Sequence, residues 1–311
     1  MDYSFYYRQE LDINQDWEKY DLFLSVFNSS DRVKQVFDKI DATEKHWLIV
    51  PEYNYSEGDY PDGNILVVAD GNESEQLQSI LKQLNLAEYR NKKVCFDMTG
   101  FMRPQMLFLL FYLKNMHFTE VDFLYSEPSH YKKKEKTEFS KGSVYDTRQI
   151  NGFAGSNSLK GNKDLLIIAA GYDTNLIAKI AQFKENAEIV QVLGFPSLRA
   201  DMYQENVLRT IAASDSFTSN TLAEPIFAPA SDPFETANII EKYITENDCL
   251  NEYDHIYISP LSTKAQTLGV GIVYLNSFVG KPVSIIYPFT SNYSKETSLG
   301  ISKVWQYTLE F

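Results

Sequence analysis

The chain has 311 residues, of which 44% are hydrophobic and 23% charged; it is long enough for two domains and has a globular rather than disordered, collagen-like or coiled-coil composition. The net charge of −13 disfavours non-specific binding to duplex nucleic acid. Two cysteines, Cys95 and Cys249, are too few for a disulfide framework or a thiolate metal site, which favours a reducing compartment.

The N-terminal segment and the most apolar segment indicate no membrane association. Residues 1–17 are acidic and aromatic and lack the basic start and apolar core of a secretory signal. The most apolar window, residues 106–116, contains Lys114 and is much shorter than the roughly 20 residues that cross a bilayer. The window is predicted to form a buried helix, and the protein is predicted to be cytoplasmic.

Short apolar segments of strand length alternate with amphipathic segments of helix length, which is typical of βαβ units on a parallel sheet. Helices are predicted between most strands of the first half and after the first four strands of the second. Two weaker strand candidates, 3–7 and 304–311, are predicted as possible partners at a sheet edge. The main predicted strands are 21–27, 47–53, 64–69, 93–97 and 121–125, then 164–170, 188–193, 226–230, 255–259 and 283–287.

The later parts of the two halves superpose with an offset of 162 residues. The superposition pairs Asp70 with Asp232 after the third strand and, with one single-residue gap, Arg103 with Lys264 after the fourth. The two fifth strands also coincide. Because the matches keep register over three consecutive elements, the α/β chain is predicted to contain two Rossmann-like parallel-sheet units related by internal duplication.

The predicted units are residues 1–131 and 162–311, joined by a polar connector over 132–161. The connector contains a dense basic run at 132–136, which is explained by a solvated loop or, alternatively, by binding of nucleic-acid phosphates. Residues 143–147 are a strand candidate, so the connector is either an extended hairpin or a flexible loop.

Ligands of open α/β sheets bind beyond the carboxyl ends of the strands, where the connection order reverses and helix N-termini offer N–H groups to anions. The loops after the first strand of each half, 28–31 and 171–174, contain residues that cap helices. Capping and ligand contact are both consistent with Ser30, Asp31 and Asp173.

The loops after the fourth strands combine hydroxyl groups, a turning backbone and a cation, a combination suited to a phosphate. The alternative is that the hydroxyls cap helices while the cations lie in solvent. Repetition of the pattern in both halves favours ligand binding. The candidate ligand-binding residues are Thr99, Gly100 and Arg103 in the first half, and Gly171, Tyr172, Asp173, Ser262, Thr263 and Lys264 in the second.

The segment HIYISPLSTKAQTLG resembles the strand-four motif of the CRISPR-associated Rossmann-fold (CARF) family, in which a Thr-Gly-Gly-Thr-Lys-like turn precedes an apolar helix. The matched residues are Ser262, Thr263 and Lys264. The segment DLLIIAAGYDTNLIAKIAQF is similar to the first strand and turn of that family. FDMTGFMRPQML resembles a second copy of the motif, with Arg103 in the lysine position.

The chain departs from the family pattern at the paired glycines, which are replaced by Leu261 and Ser262, and at Phe101 and Met102, which interrupt the first-half copy. No appended effector domain is recognised. Members of the family bind cyclic oligoadenylates across paired Rossmann units, so the resemblance implies a nucleotide-like ligand and a role in antiviral defence. One chain could then form a pseudo-two-fold site by itself, and a homodimer or larger assembly stays open.

Other motifs are absent from the sequence or nonspecific. Neither a Gly-x-Gly-x-x-Gly fingerprint nor a Gly-x-x-x-x-Gly-Lys-Ser/Thr loop occurs, and the four histidines are scattered, so no cofactor and no metal are predicted. Glu127 after the fifth strand and Asp97 at the end of the fourth are candidate catalytic residues. For Glu127, an ordinary carboxylate beside a turn proline is the favoured explanation.

The sequence therefore predicts a cytoplasmic sensor that binds a nucleotide-derived anionic ligand, such as a cyclic oligonucleotide, between its two halves. One alternative is a nucleotide hydrolase or glycosyl-transfer enzyme on the same scaffold, which fold analogy cannot distinguish. Another is a scaffold subunit of a larger assembly, which would bind no small molecule and would expose an apolar patch.

Overall fold

The computed structural model describes residues 3, 6–131, 140–156, 163–214, 217, 221–295 and 298–311. The chain forms two compact units, each with its own sheet. Unit A comprises Asp2–Lys141 and Asn292–Phe311, and unit B comprises Gly142–Ser291. Both units are α/β, as the sequence predicts.

The strands and helices alternate along most of the chain. The strands are β1 (Tyr7–Leu11), β2 (Tyr20–Val26), β3 (Ala42–Ile49), β4 (Asn64–Val67), β5 (Val94–Asp97), β6 (Glu120–Tyr131), β7 (Ser140–Gln149), β8 (Leu165–Ala169), β9 (Glu188–Gly194), β10 (Thr221–Leu222), β11 (Ile226–Ala228), β12 (Ile256–Pro260), β13 (Val283–Tyr293) and β14 (Ser298–Glu310). The helices are α1 (Asp31–Lys39), α2 (Glu73–Gln83), α3 (Arg103–Asn115), α4 (Thr174–Phe183), α5 (Ala200–Ser214), α6 (Pro233–Glu246), α7 (Cys249–Glu252) and α8 (Lys264–Val273).

Unit A contains a seven-stranded sheet in the order β1-β14-β6-β5-β2-β3-β4. The strands from β6 to β4 are parallel, and β14 and β1 extend the sheet in antiparallel fashion. Numbered along the chain, the parallel strands follow the Rossmann order 3-2-1-4-5, which reverses direction between β2 and β5. The loops after β2 and β5 therefore border the switch-point crevice of unit A, the position where such sheets bind ligands.

Helix α1 packs on the unit A sheet because its apolar residues recur at helical spacing. Val33, Val36 and Phe37 are all buried. The Phe37 ring stacks on Trp47 with ring centroids 3.6 Å apart, and Phe27 meets Trp47 edge-on at 5.4 Å. Since α1 begins just after β2 ends, this packing places its N-terminus at the carboxyl edge of the sheet.

Unit B contains a sheet in the order β10-β9-β8-β12-β13-β7, and β11 also pairs with β9. The strands β11, β9, β8, β12 and β13 are parallel and again follow the order 3-2-1-4-5, with the reversal between β8 and β12. Strands β4 and β5 begin at residues 64 and 94, and β11 and β12 begin at 226 and 256. Equivalent strands of the two sheets therefore begin 162 residues apart, which is the offset of the predicted repeat.

The unit boundaries differ from the predicted ranges 1–131 and 162–311 at the C-terminus. Residues 292–311 belong to unit A, where β14 pairs along the whole of β6. Strand β14 is therefore an inner strand rather than an edge strand, and β1 pairs with its other side. Apolar alternation predicts that a strand forms but not which sheet it joins, because its partner lies far away in sequence.

The predicted connector over 132–161 contains a strand. Strand β7 lies at one end of the unit B sheet order and covers the candidate segment 143–147. The basic run at 132–136 lies outside the described residues, as do residues 157–162. Part of the connector is therefore a strand. For its residues outside the described ranges, the hairpin and loop alternatives both stay predictions.

Candidate functional site

A buried polar network occupies the carboxyl end of β5 in unit A. Asp97, which is 0% exposed, accepts hydrogen bonds from the Ser25 hydroxyl (3.0 Å) and from the Thr99 backbone N–H (2.9 Å). Burial raises the pKa of the Asp97 carboxyl, and the two hydrogen bonds together with the charge of Arg32 oppose that rise. Asp97 therefore ties the end of β2 to the turn after β5.

The Thr99 hydroxyl extends this network to β6. Its oxygen lies 3.1 Å from the Ser126 hydroxyl and accepts a hydrogen bond from the Ser126 backbone N–H, also at 3.1 Å. Thr99 is buried, and its side chain holds the switch-point loop against the sheet. The Thr99 hydroxyl therefore has a structural role, and its contact with a ligand stays a prediction.

Gly100 lies where the β5 loop approaches the end of β2. A Cβ atom at this position would lie 2.1 Å from the Val26 carbonyl oxygen, a separation that only glycine avoids. The Gly100 carbonyl accepts a hydrogen bond from the Tyr53 hydroxyl at 3.0 Å, and Asn28 donates to that hydroxyl at 3.4 Å. Burial raises the pKa of Tyr53 to about 12, so the hydroxyl stays a donor at neutral pH.

Arg32, in the first turn of α1, is the cation that sequence reasoning missed. It is 9% exposed and donates from Nη1 to the Ser126 carbonyl. Its Nε is buried and has no hydrogen-bond partner, and among the described residues no carboxylate lies within ion-pair distance of Arg32. Because Ser126 also contacts Thr99 in the loop after β5, the hydrogen bond to Ser126 places the guanidinium beside the switch-point crevice.

The N-terminus of α1 provides further unpaired polar groups at the same place. Ser30 occupies the N-cap position, but its side chain makes no capping hydrogen bond. Its Oγ is buried without a partner, and its backbone N–H donates to the Asn28 side chain at 3.0 Å. The Ser30 hydroxyl therefore does not cap α1, although capping is one of the two explanations that the sequence allows for this residue. The loop sequence before Arg32 is the signal that could have identified this arginine.

A second network surrounds the start of α3. Strand β3 ends at Ile49 rather than at 53, because Pro51, which has no N–H, begins a short 3₁₀ turn. Glu52 in this turn accepts hydrogen bonds from Gln76 at 3.0 Å and Gln105 at 3.4 Å. Arg103, the first residue of α3, is buried and has polar contacts of its own, so the predicted solvent-exposed alternative does not apply to it.

In unit B, Gly171 lies in the loop after β8 and closely approaches the loop after β12. A Cβ atom at Gly171 would lie 2.1 Å from the Leu261 carbonyl oxygen. Tyr172 contacts α5, because the Arg209 guanidinium lies 4.7 Å from its ring and also donates to its carbonyl at 2.7 Å. Asp173 is buried at the N-cap position of α4 without a side-chain capping bond.

The loop after β12 mainly caps its own helix. The Thr263 Oγ1 accepts a hydrogen bond from the Gln266 N–H at 3.1 Å and donates to the Ala230 carbonyl at 2.6 Å. The Ser262 hydroxyl donates to the Gln266 side chain. Lys264, the first residue of α8, is partly exposed and has contacts of its own. The capping alternative is therefore confirmed for Thr263.

Glu127, a predicted catalytic candidate, does not follow a strand but lies inside β6. It is buried, pairs across the sheet with Lys303, and accepts a hydrogen bond from the Trp305 indole N–H at 2.6 Å. The sheet continues to Tyr131 because β14 pairs along it, so Glu127 is a sheet residue rather than a loop residue. Its carboxylate is engaged within the sheet, and a catalytic role for Glu127 stays a prediction.

Replacing Glu127 by glutamine should change the free energy of unfolding by less than about 1 kcal/mol, since the amide oxygen still accepts from Trp305. Burial raises the pKa of Glu127 above its unfolded value, so its contribution to stability is greatest below the unfolded pKa and is lost as pH rises. As pH rises, the free energy of unfolding of the glutamine variant should therefore increase relative to that of the wild type, which urea unfolding measures. A loss above 2 kcal/mol at neutral pH would show that the charge itself stabilises the sheet.

The opposite edge of the unit A sheet contains a cavity of about 350 Å³ at the start of β5 and β6. Lys93 there pairs with Glu18 at 2.9 Å, and Asp122 accepts a hydrogen bond from the Tyr20 hydroxyl at 2.9 Å. The cavity is not at the carboxyl edge where the sheet topology predicts ligands.

The switch-point loops, Arg32 and Ser30 define the candidate site, and comparisons with known proteins add little to it. No family model matches the chain. No curated protein matches it either. A solved structure, a periplasmic ribose ABC transporter from Conexibacter woesei DSM 14684, aligns with 84% of this chain and 69% of that one at 10% identity and a TM-score of 0.24. A likeness this weak carries no argument about fold or function.

The described part of the chain lacks two kinds of feature. None of its helices is long and apolar enough to span a membrane. Within the same residues, no three His, Cys, Asp or Glu side chains form a group that could hold a metal ion.

Proposed function

We propose that unit A binds an anionic, nucleotide-derived ligand in its switch-point crevice. The anionic group contacts Arg32, the Ser30 hydroxyl and the N-terminal N–H groups of α1. The observation that carries this proposal is the Arg32 guanidinium, buried with an unpaired Nε and without a carboxylate partner.

The state of Arg32 supports an anion because a buried charge is costly unless it is paired. Buried donors are normally satisfied, so an unpaired Nε–H indicates an acceptor that does not come from the chain. Arginine donates two parallel hydrogen bonds to phosphate or carboxylate groups. The N-terminus of α1 adds a favourable dipole and backbone donors at the same position.

The nucleotide character of the ligand rests on the Rossmann strand order and on the resemblance of the switch-point loops to CARF proteins. Cyclic oligoadenylates, and with them a part in prokaryotic defence, belong to this proposal. Sensing is favoured over catalysis because both carboxyl groups considered as catalytic, Asp97 and Glu127, are buried and hydrogen-bonded within the sheet.

The test is isothermal titration calorimetry of the whole chain with pyrophosphate, AMP, ADP and cyclic tetra-adenylate. The Arg32→Met variant should weaken the tightest of these about 10- to 100-fold, the range expected for losing a charged hydrogen bond. Lys34→Met, which removes the same charge from an exposed position on the same helix, is the matched control and should change affinity by less than about 3-fold.

The proposal fails if none of the four probes binds the wild type, or if folded Arg32→Met binds as tightly as Lys34→Met. Circular dichroism establishes that each variant is folded. Arg103→Met and Lys264→Met are titrated in parallel, since both were predicted from sequence to bind the ligand. A loss confined to those two variants would move the anion away from α1.

A further inference from the structure

The carboxylate of Glu52 is a polar group at the carboxyl edge of unit A that the anion site does not use. It is partly buried in the 3₁₀ turn after β3, and no Lys, Arg or His of the described chain forms an ion pair with it. Two neutral amides donate to it instead, from Gln76 in α2 and Gln105 in α3. Burial raises the pKa of the Glu52 carboxyl, and the hydrogen bonds from the two amides oppose that rise.

The two glutamines fix the orientation of this carboxylate. Gln76 and Gln105 are 3% and 2% exposed. The Gln105 Nε2 also donates to the Gln76 Oε1 at 2.7 Å, and the Gln105 Oε1 accepts from the Met102 N–H at 3.2 Å. Because a carboxylate has about four acceptor positions, two donors leave acceptor capacity on both oxygens.

Glu52 also lies next to the loops that border the switch-point crevice. The following residue, Tyr53, donates to the Gly100 carbonyl at 3.0 Å and contacts the Asn28 side chain at 3.4 Å. The Arg32 charge acts on the same tyrosine. Glu52 thus follows the second strand of the Rossmann order, at the sheet edge where α1 begins.

We propose that Glu52 accepts hydrogen bonds from the ribose hydroxyl groups of the ligand, an inference that rests on the anion site proposed at Arg32. A carboxylate repels the anionic part of the ligand and must therefore contact a neutral donor. The vicinal hydroxyls of a ribose offer two donors side by side, which matches the two oxygens of one carboxylate. An acidic residue after the second strand of a Rossmann sheet has the position suited to a ribose 2′-hydroxyl.

The test compares AMP with 2′-deoxy-AMP on the wild-type chain by calorimetry. Deoxy-AMP should bind about 10- to 100-fold more weakly, since it leaves a charged acceptor without its partner. In Glu52→Gln the preference for AMP should fall below about 3-fold, because the amide replaces one acceptor oxygen by a donor. Glu57→Gln, an exposed carboxylate in the next turn, is the matched control and should keep the wild-type preference.

The outcomes separate the two proposals. Equal binding of AMP and deoxy-AMP to the wild type overturns the role of Glu52 and leaves the anion site standing. The proposal for Glu52 is also overturned if the wild type distinguishes AMP from IMP but not AMP from deoxy-AMP, because the carboxylate would then contact the base. Absence of binding by all four probes, pyrophosphate, AMP, ADP and cyclic tetra-adenylate, overturns both proposals. Because the wild-type comparison needs no variant, a folding defect in Glu52→Gln does not obscure the result.

Discussion

Replacing Asp97 by alanine should lower the free energy of unfolding of the chain by about 3 kcal/mol or more. The substitution leaves the Ser25 hydroxyl and the Thr99 N–H without their shared acceptor in a fully buried position, and it also leaves a cavity. Each unsatisfied buried donor costs about 1–3 kcal/mol. Urea unfolding followed by circular dichroism measures the loss.

The matched control is Asp97→Asn, which keeps the shape and one acceptor oxygen and should cost less than about 1.5 kcal/mol. Burial raises the pKa of Asp97 above its unfolded value, so its contribution to stability is fully present below the unfolded pKa and is lost as pH rises through the folded value. As pH falls, the free energy of unfolding of the wild type should therefore increase relative to that of the asparagine variant. If asparagine proves as destabilising as alanine at neutral pH, the negative charge stabilises the fold, and Arg32 becomes its main partner.

Most strands of the two parallel sheets could be predicted to within about two residues, because each is a short apolar run bounded by turn residues. The exceptions are β3, which lies at Ala42–Ile49 instead of the predicted 47–53, and β6 and β13, which continue beyond their predicted ends. The segment predicted at 93–97 forms β5, Val94–Asp97, and the segment predicted at 255–259 forms β12, Ile256–Pro260. Parallel strands are buried on both faces, so hydrophobicity alone marks them. The same argument predicted the buried helix α3.

The strands that extend the predicted parallel sheets could be predicted as strands, but the sheets they join could not. Strand β14 joins the sheet of unit A, and the connector strand β7 joins that of unit B. Their partners, β6 and β13, are chosen by non-local pairing over the whole strand, which a period-two pattern does not encode. Glu127 was misplaced for the same reason, since the pairing of β14 extends β6 beyond its apolar half.

The sequence indicated the loops that border the candidate site but not the residues that form it. The strand-to-helix loops named from the sequence lie at the carboxyl edges of the two sheets, and Thr99 and Thr263 use their hydroxyls within the fold. Arg32 and Glu52 have no sequence signal beyond their place after a strand. Their burial and the lack of a partner at Nε of Arg32 depend on how α1, α2 and α3 pack around the switch point.

Close approach of the two switch-point loops is required in both units, and it predicts that Gly100→Ala will be severely destabilising. The added methyl group would lie 2.1 Å from the Val26 carbonyl oxygen, so the backbone must move. Overpacking of this kind costs about 1–3 kcal/mol and more where backbone has to shift, so we expect about 3 kcal/mol by urea unfolding. The matched control is Gly58→Ala, whose methyl group meets no atom within 4 Å and should change stability by less than about 1 kcal/mol. Equal stability of the two variants would mean that the loops after β2 and β5 can separate without cost.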